Sequence, residues 1–204
     1  MISLLRQAVF FKSAEKLNQL PPESIAEVAF AGRSNSGKSS ALNILTGKRR
    51  LAHVSKTPGR TRLINFFQVA PDAFLVDLPG YGYARVPGDM KKHWARLLTG
   101  YLGSRPQICG LVVIMDARHP MTPLDVQLLD WFSVTGKPVH VLLTKADKLP
   151  KSKAARHLAE VVSILDKEYP GYTVQLFSST SKLGLKEADG AINEWFQTCV
   201  NVDR

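Results

Sequence analysis

Three observations predict a three-layer α/β domain with a mostly parallel, six-stranded sheet flanked by helices. Six short apolar runs alternate with five amphipathic stretches along nearly the whole chain. Several of the runs are apolar at consecutive positions rather than at every second one, as expected of strands covered by helices on both faces. The polar residues of chemical interest fall just after the runs, at the strand ends where ligands of such sheets bind.

The runs AEVAFA (26–31), INFFQVA (64–70), AFLVD (73–77), CGLVVIMD (109–116), PVHVLLT (138–144) and YTVQLFSS (172–179) read as strands. Helices are expected over 38–46, 88–102, 122–135, 152–169 and 184–199. The third opens on TPLD, with Thr122 as N-cap and Pro123 in the first turn. In the last, Leu185, Ala188, Ile192, Trp195, Phe196 and Cys199 recur at three- and four-residue steps and form a core-facing stripe. Strands alternating with helices imply right-handed crossovers. The 204 residues suit one domain, residues 24–204, with residues 1–23 as an N-terminal extension packed on it.

Composition narrows the function classes. The longest uninterrupted apolar stretch, near Leu111–Met115, is far too short to span a bilayer, and the apolar N-terminus carries Arg6 and no small-residue cleavage pattern. A cytoplasmic protein is expected. Cys109 and Cys199 show no metal-ligand spacing and are expected to be two reduced, buried thiols. Twenty-seven Lys and Arg against seventeen Asp and Glu give a net charge of +10, which suits a polyanionic partner. Val28 to Pro71 holds no acid, while Arg33, Lys38, Lys48, Arg49, Arg50, Lys56, Arg60 and Arg62 all fall there. A solvated basic face explains any one of them, but a one-sided block points to a binding surface.

After the first strand comes GRSNSGKSS, which fits GxxxxGK[ST] between strand and helix. Glycines let backbone amides turn toward phosphate oxygens, and the helix start adds its positive dipole end. Lys38 brings a point charge to the same oxygens, and Ser39 offers a hydroxyl to Mg²⁺. AFLVD then ends in Asp77, followed by Leu78, Pro79 and Gly80. Asp77 suits a magnesium-bound water, and the Gly80 amide suits a γ-phosphate. A strand-ending Asp is commonly a turn former, but the order and distance from the first loop favour the phosphate reading.

Two further loops suit a purine base. TKAD supplies Thr144, Lys145, Ala146 and Asp147, and SST supplies Ser178, Ser179 and Thr180. An aspartate accepts two hydrogen bonds from N1 and N2 of guanine, which adenine cannot offer, and leaving it unpaired gives discrimination. The Lys145 stem can cover one face of the base, and the amides around Ser179 and Thr180 can meet the guanine carbonyl. Taken alone, Lys145 and Asp147 read equally as ordinary loop residues.

With these motifs in order, the sequence resembles the P-loop GTPases related to translation factors, and within them the EngB (YihA/YsxC) family. GRSNSGKSS, TPGRTRLINFF, DLPGYGYA, TKADK and FSSTSKLG carry the resemblance over nearly the whole chain. It implies a GTPase with Mg²⁺ that assists assembly of the large ribosomal subunit and is needed for normal septation and cell division. It further implies that Gly32, Arg33, Ser34, Asn35, Ser36, Gly37, Lys38 and Ser39 hold the phosphates. Of Thr57 and Thr61, the family pattern places the second Mg²⁺ ligand at Thr61, with Gly59, Arg60, Arg62 and Leu63 lining the nucleotide. Lys38, Thr61, Gly80 and Asn35 are the expected catalytic contributors, Asn35 by helping to bind an activating K⁺.

Two departures from the wider class stand out. Thr144 replaces the Asn of NKxD, which predicts a lost brace between base and phosphate loop and looser nucleotide binding. Tyr81 stands where many GTPases place a water-orienting Gln, which predicts slow intrinsic hydrolysis, with packing or a partner contact as the role of the ring. Together with Tyr83 it is expected to form a flexible surface that waits for a partner. Precursor particles of the large subunit and their rRNA are the expected partners, gripped by Lys48, Arg49, Arg50, Lys56, Arg60 and Arg62 and by Arg85, Lys91, Lys92 and Arg96. No membrane insertion and a monomer are expected. Two rival classes remain open: a small P-loop kinase or ATPase, separated by comparing GTP with ATP binding, and a nucleotide-regulated interaction protein of the division machinery, separated by turnover in the presence of ribosomal subunits.

Overall fold

The computed structural model describes residues 3–22, 24–52, 63–82 and 98–202, with the side chains of 200–202 left aside. Among the described residues the strands are β1 (Val9–Ala14), β2 (Ala26–Gly32), β3 (Ile64–Ala70), β4 (Ala73–Asp77), β5 (Ile108–Asp116), β6 (Val139–Thr144) and β7 (Thr173–Leu176). The helices are α1 (Lys38–Leu45), α2 (98–104), α3 (Pro123–Ser133), α4 (Lys151–Glu168) and α5 (Leu185–Val202). The expected helix over 88–102 lies mostly outside the described residues.

The seven strands form one sheet in the order β1-β3-β4-β2-β5-β6-β7. β4, β2, β5, β6 and β7 run parallel, and β3 is antiparallel to β4 and β1 to β3. The sheet has one strand more than the sequence predicts. The extra strand is β1, inside the stretch read as an extension, whose register (Val9↔Gln68 to Ala14↔Ile64) is set by residues some fifty positions away. β7 is shorter than predicted, because the chain leaves the ladder after Leu176 to form the SST loop.

Consecutive apolar residues in the central strands follow from two cores. In β2, Val28 and Phe30 join Leu42 and Leu45 of α1 and Ile192 and Phe196 of α5 on one face. Ala29 and Ala31 point the other way, into the layer of Tyr101, Leu129, Phe132 and Val161 from α2, α3 and α4. β5 divides likewise, with Val112 and Ile114 on the first face and Leu111, Val113 and Met115 on the second. The period of two thus sends alternate side chains into different helix layers.

Beneath the opposite end of the sheet, the fully buried Glu27 accepts from Tyr101 Oη at 2.6 Å and from Arg105 Nη2 at 2.6 Å. Lys137 Nζ donates to Pro106 O at 2.7 Å and Ile108 O at 2.6 Å, tying the α3–β6 loop to the start of β5. Trp195 of α5 lies over Gly110 of β5, where a Cβ would stand 2.4 Å from its ring. The same face corrects the cysteine expectation: Cys109 and Cys199 form a disulfide, with Cα atoms 6.0 Å apart. The helical stripe that buries Ile192 and Phe196 also carries Cys199 down to β5.

Candidate functional site

All five parallel strands present their carboxyl ends at one edge, and the four predicted loops meet there. Register sets their spacing: Phe30 pairs with Asp77, Gly32 with Ile114 and Asp116 with Thr144. The phosphate loop turns sharply between β2 and α1. A Cβ on Gly32 would stand 2.7 Å from Ser36 Oγ and 2.8 Å from Ile114 O, so only glycine lets the loop close on β5. Gly37, at φ 102°, is the N-cap of α1 and brings no side chain to it, which keeps the first-turn amides available to an anion.

Lys38 and Asp77, both buried, form an ion pair through Nζ and Oδ1. Leu78 N donates to Phe30 O at 3.0 Å, and a Cβ on Gly80 would lie 3.4 Å from Ser34 N, so the DLPG backbone lies along the phosphate loop. Ser34 N donates to Tyr81 O at 2.8 Å and Tyr81 N to Gly32 O at 3.2 Å. The ring is in the core, 4% exposed, and its hydroxyl donates to Asp125 Oδ1 at 2.8 Å. Burial, and then the Asp125 carboxylate, push the Tyr81 phenol well above its ordinary value, so it stays protonated as a donor. This corrects the expectation of a flexible tyrosine surface at Tyr81, because the ring packs beneath the N-terminus of α3. Tyr83 lies outside the described residues.

Thr144 corrects a second expectation. Its hydroxyl contacts Ser36 O of the phosphate loop and lies 3.0 Å from Met115 O. One hydroxyl has one proton to share between two carbonyls, yet the contact between base loop and phosphate loop is present without the Asn amide. Lys145, at φ 58°, donates from Nζ to Asn35 O at 2.6 Å and to Asp116 Oδ2 at 2.9 Å. Burial works to raise the Asp116 carboxyl, but hydrogen bonds from Arg118 and Lys145 outweigh it and hold it well below the usual carboxylate range.

Asp147 Oδ1 accepts from Ser178 Oγ at 2.7 Å, and Ser178 Oγ itself accepts from the amides of Thr180 and Ser181 at 3.2 and 3.1 Å. The Ser178 hydroxyl holds the Asp147 carboxyl below its ordinary value. Ser178 is fully buried, and its hydroxyl orients the aspartate. Ala146 N donates to Phe177 O at 3.2 Å, which joins the two base loops through the main chain. Ser179 lies in the turn that follows.

Thr57, Gly59, Arg60, Thr61 and Arg62 lie outside the described residues, as do Lys56, Arg85, Lys91, Lys92 and Arg96; Leu63 is described, just before β3. Asn43 of α1 fixes the segment that leads toward the first group, donating to Ala52 O at 3.0 Å and accepting from Ala52 N at 2.8 Å. Sequence reasoning missed Asp116 and Asp125. Asp116 ends a parallel strand, as Asp77 does, and that position was the available signal. Nothing local marks Asp125 as the partner of Tyr81.

A family model described as 50S ribosome-binding GTPase matches residues 27–145. The probable GTP-binding protein EngB of Nitrosomonas europaea is 55% identical over 195 residues, covering 96% of this chain and 88% of the relative. That of Thiobacillus denitrificans is 58% identical over 193 residues, covering 94% and 92%. The chain belongs to the EngB family. As a member of this GTPase family it binds GTP and hydrolyses it. A solved structure of a probable GTP-binding protein engB shares the fold at TM-score 0.66 and 24% identity, over 85% of this chain and 100% of that one. Aquifex aeolicus Era bound to GDP and AlF₄⁻ shares it at TM-score 0.67 and 21% identity, over 84% and 57%.

GTPases of this kind use Mg²⁺, and the donors present suit it. Ser39, the second residue of α1, and Asp77, at the tip of β4, offer hard oxygens. Among the described residues no group of three or more His, Cys, Asp or Glu could form an all-protein cage, and Mg²⁺ keeps most of its waters rather than needing one. No helix among the described residues is long and apolar enough to cross a membrane.

Proposed function

We propose that the protein is a GTP-operated switch in assembly of the large ribosomal subunit, required for normal septation and cell division. The observation that carries the nucleotide part is the convergence of Lys38, Asp77, Thr144, Lys145 and Asp147 at one edge of the parallel strands. In this reading Gly32 to Ser39 cradle the phosphates, and Asp77 to Gly80 sense the γ-phosphate. Ser39 and Thr61 hold Mg²⁺, with Asp77 acting through a water. Bound there, the ion would supply positive charge to the β- and γ-phosphate oxygens. Lys38 leaves Asp77 for those oxygens, and Asp147, held by Ser178, reads guanine beneath the Lys145 stem.

Hydrolysis is slow without a partner, because Tyr81 stands at the position of the water-orienting Gln and its hydroxyl is committed to Asp125. Asn35 helps bind an activating K⁺ beside the phosphates. Faster turnover in KCl than in NaCl at equal ionic strength is expected, and identical rates would exclude that role. The basic segments flanking the γ-phosphate loops meet rRNA through its phosphates, so binding to subunit precursors weakens steeply with salt.

Residues 24–204 are read as one G domain and residues 1–23 as an extension packed on it; the burial of Leu5 and Ala8 in the α1/α5 core supports the packing, and β1 joins that extension to the domain's own sheet. A monomer is proposed. Bacterial relatives favour a cytoplasmic location. Counting free thiols in protein isolated under thiol-blocking conditions tests whether the Cys109–Cys199 disulfide forms there. The central test is cosedimentation with large-subunit precursors in a GTP analogue, in GDP and without nucleotide. Preferential binding in the GTP analogue is expected, and equal binding in all three states would refute the switch.

A further inference from the structure

Asp116 belongs to none of the four loops, yet its carboxylate reaches the lysine of the base loop. Oδ2 accepts from Lys145 Nζ at 2.9 Å and from Arg118 Nη2 at 2.6 Å. Oδ1 accepts from the Arg118 amide at 3.0 Å and from its Nε at 2.9 Å. A guanidinium that grips both oxygens fixes the plane of a carboxylate as well as its charge. Asp116 therefore cannot swing away from Lys145 without breaking three bonds to Arg118.

The lysine is held from two sides. Its ammonium has three protons; one goes to Asp116 on β5 and another to Asn35 O in the phosphate loop. A free lysine stem would sample many rotamers, but here the side chain is only 31% exposed. The sheet sets the distance, since Asp116 pairs with Thr144, the residue directly before Lys145.

We propose that Asp116, locked by Arg118, is a positioning residue for the guanine nucleotide: it holds Lys145 across the base site and thereby ties the base loop to the phosphate loop at Asn35. The inference rests on the assignment of Lys145 to the base. Asp116 acts through the lysine, and among the described residues its carboxylate bonds no side chain assigned to the nucleotide other than Lys145.

The test measures release of a fluorescent GDP analogue, with KM and kcat for GTP, in the wild type, D116N, R118A, K145A and D116N/K145A. Losing one charge-assisted bond is expected to speed GDP release and raise KM about tenfold in D116N, with kcat changed by less than about twofold. R118A, a surface change, is expected to give roughly two- to fivefold faster release by unlocking Asp116, and it decides the matter if D116N does not fold. In the K145A background D116N should add nothing, because its route to the nucleotide is gone. Wild-type release in D116N and R118A beside a weakened K145A would overturn this inference alone, as would an undiminished D116N effect in K145A. Wild-type nucleotide affinity in K145A would instead remove the assignment of Lys145 to the base. A merely structural Asp116 would lower the melting temperature and leave KM unmoved, which also overturns it.

Discussion

Replacing Tyr81 with Phe removes one hydroxyl and leaves the ring in place. That hydroxyl donates to Asp125 Oδ1 over 2.8 Å, where Tyr81 is 4% and Asp125 1% exposed. Asp125 keeps Thr122 N at 2.9 Å and Thr122 Oγ1 at 2.6 Å, but both of these bond Oδ2. The variant therefore takes a partner from the other carboxylate oxygen, in a place water reaches poorly. A hydrogen bond to a charged group contributes about 1.5–3 kcal/mol. For a domain of this size each kcal/mol moves the melting temperature by about 2–4 °C. Y81F should melt about 3–12 °C lower than the wild type by calorimetry without nucleotide at pH 7.5. A shift under about 1 °C would mean that the bond contributes nothing in solution. Single-turnover GTP hydrolysis, measured where both proteins are folded, should stay within about threefold. A loss of a hundredfold would place the hydroxyl in the chemistry and refute its reading as a packing group.

Arg105→Ala should cost about 3–5 kcal/mol in urea unfolding, because it removes the cation from the buried Glu27 carboxylate; a loss under about 1 kcal/mol would show that this ion pair adds little to the fold. Gly110→Ala puts a Cβ 2.4 Å from the Trp195 ring and should cost about 1–3 kcal/mol, with changed tryptophan fluorescence as the ring moves; an unchanged spectrum and stability would remove Trp195 from that face. Burial lowers the His140 pKa against the opposing hydrogen bond that its ring donates to Gln175 Oε1, so the folded protein keeps the ring neutral while the unfolded chain takes up a proton near pH ~6.5. Stability from His140 is complete above that pH and is lost as pH falls toward the folded pKa. The wild type should therefore lose more melting temperature than His140→Gln between pH 7.5 and 5.5, and equal slopes would refute the shift.

Local chemistry was legible in the chain itself. INFFQVA and AFLVD read as strands at their observed bounds, 64–70 and 73–77, because apolar content is a property of neighbouring residues. TPLD marked the start of α3 for the same reason, through an N-cap threonine and a first-turn proline. The phosphate loop was equally plain, since its glycines, lysine and serine act within one strand–turn–helix unit. What escaped notice was always a relation between distant segments. VFFKSA becomes a strand only because β3 offers an edge to pair with. The Thr144 hydroxyl finds Ser36 across 108 positions, Cys109 meets Cys199 across 90, and Tyr81 meets Asp125 across 44.

The sequence by itself determined which residues stand at strand ends and what chemistry each can offer: a phosphate cradle, an acid at the tip of β4 and an aspartate whose carboxylate can accept the two donors of a guanine edge. Only the tertiary structure decided how those residues act on one another. Parallel crossovers and strand register put Asp116 beside Lys145, Thr144 under the phosphate loop and Tyr81 beneath α3. Propensity and spacing act over a few residues, whereas these distances are set by the order of strands in the sheet, which no short stretch of the chain contains.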